Sequence, residues 1–261
     1  MERLGIWTDL FDRAPIGEVR ERAAELDELG YGALWLPEIG GREALSQAAV
    51  VLAATRRMVV ATGIASIHAR TAEATAAGQR TLDDAYPGRF LLGLGVGRWP
   101  GSPVAAMRAY LDPMGPTTVL GSLGPRMIAL AAERTKGAFP FGMPVEHTAA
   151  ARETLGAKRF LGVGMAAVFD HDRERGRRFA RSSVANFLPN REKSLRALGY
   201  AVDHPDERLA DALVVAGDVD RILARVREHV DAGADHVALH VLASEGPKTV
   251  VAWRELATHL S

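Results

Sequence analysis

The sequence predicts an α/β fold: one (β/α)8 TIM barrel with extra helices between its seventh and eighth strands. Three observations carry this. The chain is 261 residues long with no break in composition, a length at which a large core can be buried. Eight apolar runs alternate with segments of helical period, which demands parallel strands joined by helical crossovers. Eight such steps at this length favour closure over an open, doubly wound sheet. No internal repeat, low-complexity tract or linker divides the chain, so residues 1–261 are expected to form one domain.

The first strand is LGIWTD at 4–9. Pro15 and Gly17 introduce a helix with Ile16, Val19, Ala23, Leu26 and Leu29 at helical spacing, and Gly30 ends it. The second strand is 33–36, with Pro37 at its exit. The helix at 43–55 is almost wholly Ala, Val and Leu, as for a helix covered on more than one side. The third strand spans 58–65 and its helix 71–85. Tyr86-Pro87-Gly88 turns the chain into the fourth strand at 89–95. A loop with Pro100, Gly101 and Pro103 leads to a helix at 104–111. The fifth strand is 118–123, followed by a helix at 125–135 with Pro125 in its first turn. The sixth is 137–141, then a helix at 144–155 ended by Gly156. The seventh is 160–168.

There the alternation pauses. Charged helices are expected at 172–187 and 191–198, separated by Pro189, with a loop at 199–207. The pattern resumes with a helix at 218–232, where Val219, Ile222, Leu223, Val226 and Val230 share a face. The eighth strand is 236–242. A closing helix at 249–260 buries Val250, Trp253, Leu256 and Leu260.

Composition removes several function classes. Lys plus Arg and Asp plus Glu both total 32, so there is no general electrostatic pull toward nucleic acid or an anionic membrane. With no cysteine there can be no disulfide, thiolate metal site or cysteine nucleophile. Neither a secretory signal nor an apolar run of membrane-spanning length is visible, and the expectation is a soluble cytoplasmic protein.

A barrel of this kind places its chemistry at the C-terminal ends of the strands. Those ends supply Trp7, Thr8, Asp9, Pro37, Glu38, residues 62–68, residues 95–99, residues 123–126, residues 139–142, Met165, Phe169 and residues 240–243. The set is mostly apolar and aromatic; Asp9, Glu38, His68, Arg98 and His240 are its main ionisable members. That suits a flat ring better than hydrolysis by paired carboxylates. His236 and His240 share a strand face but lack further ligands at metal spacing, so no metal is expected. Leu123-Gly124-Pro125-Arg126 joins a strand to a helix start, where free N–H groups and the helix dipole favour an anion; an ordinary loop with proline at the first helical position reads the same way. Gly93-Leu94-Gly95-Val96-Gly97 is not a dinucleotide fingerprint, because Arg98 stands where the final glycine is required. Glycines that let the strand end pack, or admit a ligand, are the better account.

Taken together, LGIWTD at 4–9, LGYGALWLPE at 29–38, VVATGIASIHAR at 59–70, AYPGRFLLGLGVG at 85–97, LGPRMIALAAERTKGAFPF at 123–141 and AGADHVALHVL at 232–242 resemble the bacterial-luciferase-like superfamily, in its coenzyme F420-dependent oxidoreductase (LLM class) branch. The resemblance implies a barrel with an inserted segment before the last strand. It implies a deazaflavin ring, or alternatively FMN, packed over the third strand at Thr62, Gly63 and Ile64, often on a non-proline cis peptide. The cofactor phosphate would lie at Gly124, Pro125, Arg126, Phe141 and Gly142. His68 and Asp9 become the candidates for moving a proton, with Trp7, Glu38, Arg98 and His240 toward the substrate. Two departures stand out: a short loop after the fourth strand, and Arg98 where a related sugar-phosphate dehydrogenase carries an acid. The activity implied is hydride transfer between F420 and a small organic molecule. An FMN-dependent monooxygenase and a non-catalytic cofactor-binding protein are the rivals. A homodimer or higher homo-oligomer is implied as well. Valine at Gly63 or Gly124 is expected to obstruct the cofactor's approach.

Overall fold

The computed structural model describes residues 3–97, 100–116, 118–242 and 246–260. In chain order the elements are β1 (Leu4–Trp7), α1 (Ile16–Glu28), β2 (Ala33–Leu36), α2 (Ala44–Ala54), β3 (Val59–Thr62), β4 (Ala65–Ser66), α3 (Ala72–Ala85), β5 (Phe90–Leu91), β6 (Gly93–Gly95) and α4 (Pro103–Tyr110). There follow β7 (Val119–Leu120), α5 (Pro125–Arg134), β8 (Gly137–Ala138), α6 (Val145–Leu155), β9 (Phe160–Phe169), α7 (Arg173–Phe187), α8 (Glu192–Ala197), α9 (Glu207–Leu213), β10 (Val214–Gly217), α10 (Val219–Asp231), β11 (His236–Leu242) and α11 (Gly246–Ala257).

The strands form one parallel sheet in the order β4-β6-β7-β8-β9-β11-β1-β2-β3-β5. Its two ends are the same pair of strands. β3 and β4 are halves of the third barrel strand, interrupted at Gly63–Ile64, and β5 and β6 are halves of the fourth, interrupted at Leu92. The lower halves pair through Val60↔Phe90 and Ala61↔Leu91, the upper through Ala65↔Leu94 and Ser66↔Gly95. The sheet therefore closes on itself and the predicted barrel stands. At the interruption the Thr62 hydroxyl donates to the Gly93 carbonyl (2.7 Å) and accepts from the Gly93 N–H (2.8 Å), standing in for the missing backbone ladder.

The barrel interior is filled by Trp35 and Phe139, stacked at 3.9 Å, with alanines at 33, 61 and 238 leaving them room. The Trp35 indole N–H donates to Nε2 of the fully buried His236 (3.0 Å), so that histidine is committed inside the barrel. The main apolar core lies between the sheet and its helices. α2 sits between α1 and α3, as its composition required.

Between the seventh and eighth barrel strands the sequence reading needs correction. The expected loop at 199–207 leads into α9 and then into β10, a strand that was not anticipated. β10 pairs with Ala166–Phe169 on the upper half of β9, above the level where β8 pairs with Phe160 and Leu161. Leu213 ends the helix and Val214 begins the strand with no turn residue between them, so a single apolar run hides both elements. The inserted segment has its own core, in which Val184, Phe187, Leu195, Tyr200, Leu209 and Val214 pack beside Met143 and Val168. Leu260 is only half-buried, because the closing helix ends at Ala257. Among the described residues, no helix is long and apolar enough to cross a membrane.

Candidate functional site

At the C-terminal rim the third barrel strand breaks at a cis peptide between Gly63 and Ile64. Neighbours hold this break on every side. Trp7, at the end of β1, donates its indole N–H to the Gly63 carbonyl (2.6 Å). The Gly63 N–H donates to Leu36, and the Ile64 carbonyl accepts from the Glu38 N–H (2.7 and 3.2 Å). The Ile64 side chain seats against Gly95 and Gly121, where a Cβ would overlap it, while a Cβ at Gly93 would overlap the Thr62 carbonyl. The glycines after the fourth barrel strand are thus packing glycines, made necessary by Ile64 and Thr62.

Glu38 anchors the next wall. Its carboxylate accepts from the Ser66 N–H (2.7 Å) and the Ala44 N–H (3.1 Å) and is paired with Arg70. Arg70 also reaches Glu43 at 2.8 Å. His68 is exposed and donates from Nε2 to the Val96 carbonyl (2.7 Å).

Two cavities open side by side at this rim. One, of about 280 Å³, runs from Pro37 and Ile39 over Gly63 and Ile64 to Ser122, Leu123 and Arg191. The other, of about 350 Å³, is walled by Phe179, Phe187 and Leu242 and carries Asp9 and His240. Phe141 and Arg191 border both. A larger hollow of about 730 Å³ lies at the opposite end, beside Arg3, Tyr31 and Arg57, at the face of a barrel that serves stability rather than chemistry.

In the second cavity His240 lies against Trp7, with ring centroids 4.4 Å apart, and its Nε2 is 3.7 Å from an Asp9 carboxylate oxygen. That is an ion-pair separation, longer than a hydrogen bond. The His240 ring holds the Asp9 carboxyl below the usual carboxylate range, against the opposing effect of partial burial. The buried His240 Nδ1 has no hydrogen-bond partner among the described residues.

Residues 5–100 match the family model described as luciferase-like monooxygenase. Over that stretch the chain is similar to this family. A putative coenzyme F420-dependent oxidoreductase of Mycobacterium tuberculosis is 29% identical over 120 residues, which is 42% of this chain; the match spans only 35% of that protein. The coenzyme F420-dependent tetrahydromethanopterin reductase of Methanopyrus kandleri superposes over the full length of both chains, with a TM-score of 0.76 at 16% identity. The oxygenating constituent of a diketocamphane monooxygenase from Pseudomonas putida, solved with FMN, superposes over 100% of this chain and 98% of its own at 0.73 and 12%. At such identities the likeness to solved structures is one of fold, and it covers the whole barrel.

The rim gathers Trp7, Glu38, Gly63, Ile64 and Phe141 on the first cavity, and Asp9 and His240 on the second. Thr62 is fully buried below the cavity, its hydroxyl engaged with Gly93. The Gly142 N–H is also engaged, donating to the Gly164 carbonyl at 2.8 Å. Gly124, Pro125 and Arg126 begin α5 just beyond the cavity wall at Leu123; Gly124 makes no side-chain cap, and a Cβ there would meet nothing within 4 Å. A Cβ at Gly63, by contrast, would press on Trp7 and Trp35 at 3.0 and 3.2 Å. The expectation that valine at 63 obstructs an open approach path is therefore corrected: it would disturb the barrel interior. Arg98 lies outside the described residues. Among those described, no group of His, Asp or Glu could hold a metal ion. Sequence reasoning missed Ser122, Asn190 and Arg191. The only signal for the last two was the Pro189-Asn190 turn, which reads equally well as a helix breaker.

Proposed function

We propose that the protein is an oxidoreductase that moves a hydride between a deazaflavin cofactor of the F420 type and a small organic substrate. The observation that carries this reading is the pair of cavities meeting at Phe141, one over the Gly63–Ile64 break and the other holding Asp9 and His240. The residues present fit such a group. Pro37, Ile39, Ile64, Val96 and Phe141 give the first cavity apolar walls for a flat ring, and the buried Ser122 hydroxyl offers an unused polar contact. When bound, the deazaflavin supplies the hydride chemistry at its C5.

The chain's own residues do the rest. Trp7 fixes the Gly63 carbonyl and so the shape of the platform. Glu38, pinned by Ser66, Ala44 and Arg70, holds the second and third strand ends together beside the ring. Gly124, Pro125 and Arg126, with the Phe141–Gly142 turn, form the end of the site nearest the cofactor's phosphate. Asp9 and His240 stand at ion-pair distance next to the substrate, placed to pass a proton to it, and Phe141 and Phe187 line one side of that cavity. Asp9 thus keeps its proposed role, and His240 joins it; His68 is the second candidate for handling a proton, from the opposite edge.

FMN on the same scaffold is the second reading, favoured by the FMN-bound monooxygenase of the same fold. Titrating the purified protein with each cofactor and following fluorescence quenching decides between them. Micromolar binding of F420 with hydride turnover on a panel of alcohols, aldehydes and unsaturated carbonyl compounds supports the proposal. Binding without any turnover would leave a cofactor-binding protein, and no binding of either cofactor would sink both readings.

A further inference from the structure

Arg191 stands out because its guanidinium hydrogen-bonds only to backbone carbonyls and to no carboxylate among the described residues. The turn that delivers it is built for the purpose. Asn190 adopts a left-handed conformation (φ 68°), a shape asparagine tolerates better than most residues, and the Arg191 N–H closes the turn on the Leu188 carbonyl (2.9 Å). The side chain then reaches back over the rim. Nε donates to the Phe141 carbonyl (3.0 Å) and Nη1 to the Pro189 carbonyl (3.1 Å). A guanidinium has five N–H donors, so three are left without an acceptor among the described residues. No carboxylate of the described residues lies within 4 Å of it. The cation is half-buried, with the Phe187 ring beneath it at 6.0 Å, and burial, partly offset by Glu192, pushes its pKa down to about 10, which leaves it charged at neutral pH.

Two further features share its wall. Ser122 is 2% exposed, lines the first cavity, and its hydroxyl has no hydrogen-bond partner. Leu123, next in sequence, gives its carbonyl to Ser194 (3.1 Å) and to His147 (2.8 Å); Ser194 is one helical turn beyond Arg191, so the insert and the start of α5 are held together there. Guanidinium donors that line two cavities without a protein acceptor are open to a ligand's oxygens.

We propose that Arg191 is an anion receptor, whose free donors at the seam of the two cavities bind the phosphate or carboxylate oxygens of a ligand, assisted by the Ser122 hydroxyl. Charge-assisted hydrogen bonds of this kind change affinity by roughly 10- to 100-fold. The phosphate alternative rests on the cofactor reading above; the carboxylate alternative does not.

The test uses the full chain, as wild type, Arg191→Gln, Arg191→Lys and Ser122→Ala, each checked for folding by circular dichroism. The probes are F420 and FMN, their phosphate-free counterparts (the deazaflavin riboside and riboflavin), and benzoate and inorganic phosphate. If the cofactor phosphate is the ligand, wild type prefers the phosphorylated member of a pair by about 10- to 100-fold, and Arg191→Gln erases that preference while Arg191→Lys keeps part of it. If a substrate carboxylate is the ligand, the cofactor preference survives Arg191→Gln but benzoate binding is lost. In wild type, the Arg191 side-chain nitrogen resonances shift with the bound anion, a readout that needs no variant. Affinities for every probe unchanged within about twofold in Arg191→Gln, with no resonance shift in wild type, would overturn the proposal. Should wild type bind no cofactor, the functional reading fails while the benzoate and phosphate titrations still decide Arg191.

Discussion

Trp7 serves two cavities at once: its indole N–H holds the Gly63 carbonyl, and its ring backs His240. Replacing it with phenylalanine keeps an aromatic face but strands the carbonyl. The expected cost is about 0.5–1.5 kcal/mol, the usual net worth of a partly buried hydrogen bond, and it should appear as a lower urea midpoint together with weaker cofactor binding. Gly124 offers a cleaner probe of the site than Gly63. A side chain at 124 enters open space, so Gly124→Val should cost only about 0.5–1 kcal/mol through its poorer helix cap. Cofactor affinity, followed by fluorescence titration, should nevertheless fall roughly tenfold if the approach runs past that residue, a loss of about 1.4 kcal/mol. Full affinity in a folded Gly124→Val protein would move the phosphate away from α5.

At the scale of elements, the broken third strand and the glycines facing it are one design. Ile64 needs the absence of a side chain at Gly95 and Gly121. Gly95→Ala should therefore destabilise the protein by about 1–3 kcal/mol through overpacking. Adding Ile64→Ala should recover part of that loss, because it removes the two overlapping carbons; a double-mutant cycle measured by urea denaturation would expose the coupling. Additive effects would show that the glycine serves something other than Ile64. The alternation of apolar runs and helices made the barrel legible in the sequence, since parallel strands and crossovers follow from period alone. The break at Gly63–Ile64 was legible only through resemblance, because no local pattern distinguishes it from a strand containing one glycine. β10 was not legible, since Leu213 and Val214 pass from helix to strand without punctuation. Arg191 was hidden for a different reason: the residues it meets, Phe141 and Phe187, are distant in sequence, and a basic residue on a charged insert looks like any solvated one.

Across the whole molecule, the helical ring is tied together by buried polar contacts, and these set its response to acid. Thr148 on α6 meets His229 Nδ1 on α10 at 2.8 Å, with both residues 1% exposed. Burial, reinforced by Arg225 and His147, pushes the His229 pKa down to about 4 from 6.5. His147, whose Nε2 donates to the Leu123 carbonyl, is lowered as well, chiefly by burial. A depressed histidine is neutral in the folded chain while the unfolded chain takes up its proton. Between about pH 6.5 and 4 the unfolded state thus binds more protons, and stability falls as pH falls. Above pH 6.5 neither state is protonated at His229 and the effect vanishes; below about pH 4 both are, and the loss is complete. A shift of this size is worth on the order of 3 kcal/mol, or roughly 6–12 °C in melting temperature for a chain of this length. Melting curves at pH 7.5 and 4.5 should show a steep loss in wild type and a shallower one in His229→Gln, which retains a polar partner for Thr148 but cannot titrate. The residual slope belongs to His147 and the carboxylates. Equal slopes in the two proteins would show that the contact between α6 and α10 does not set the acid limit.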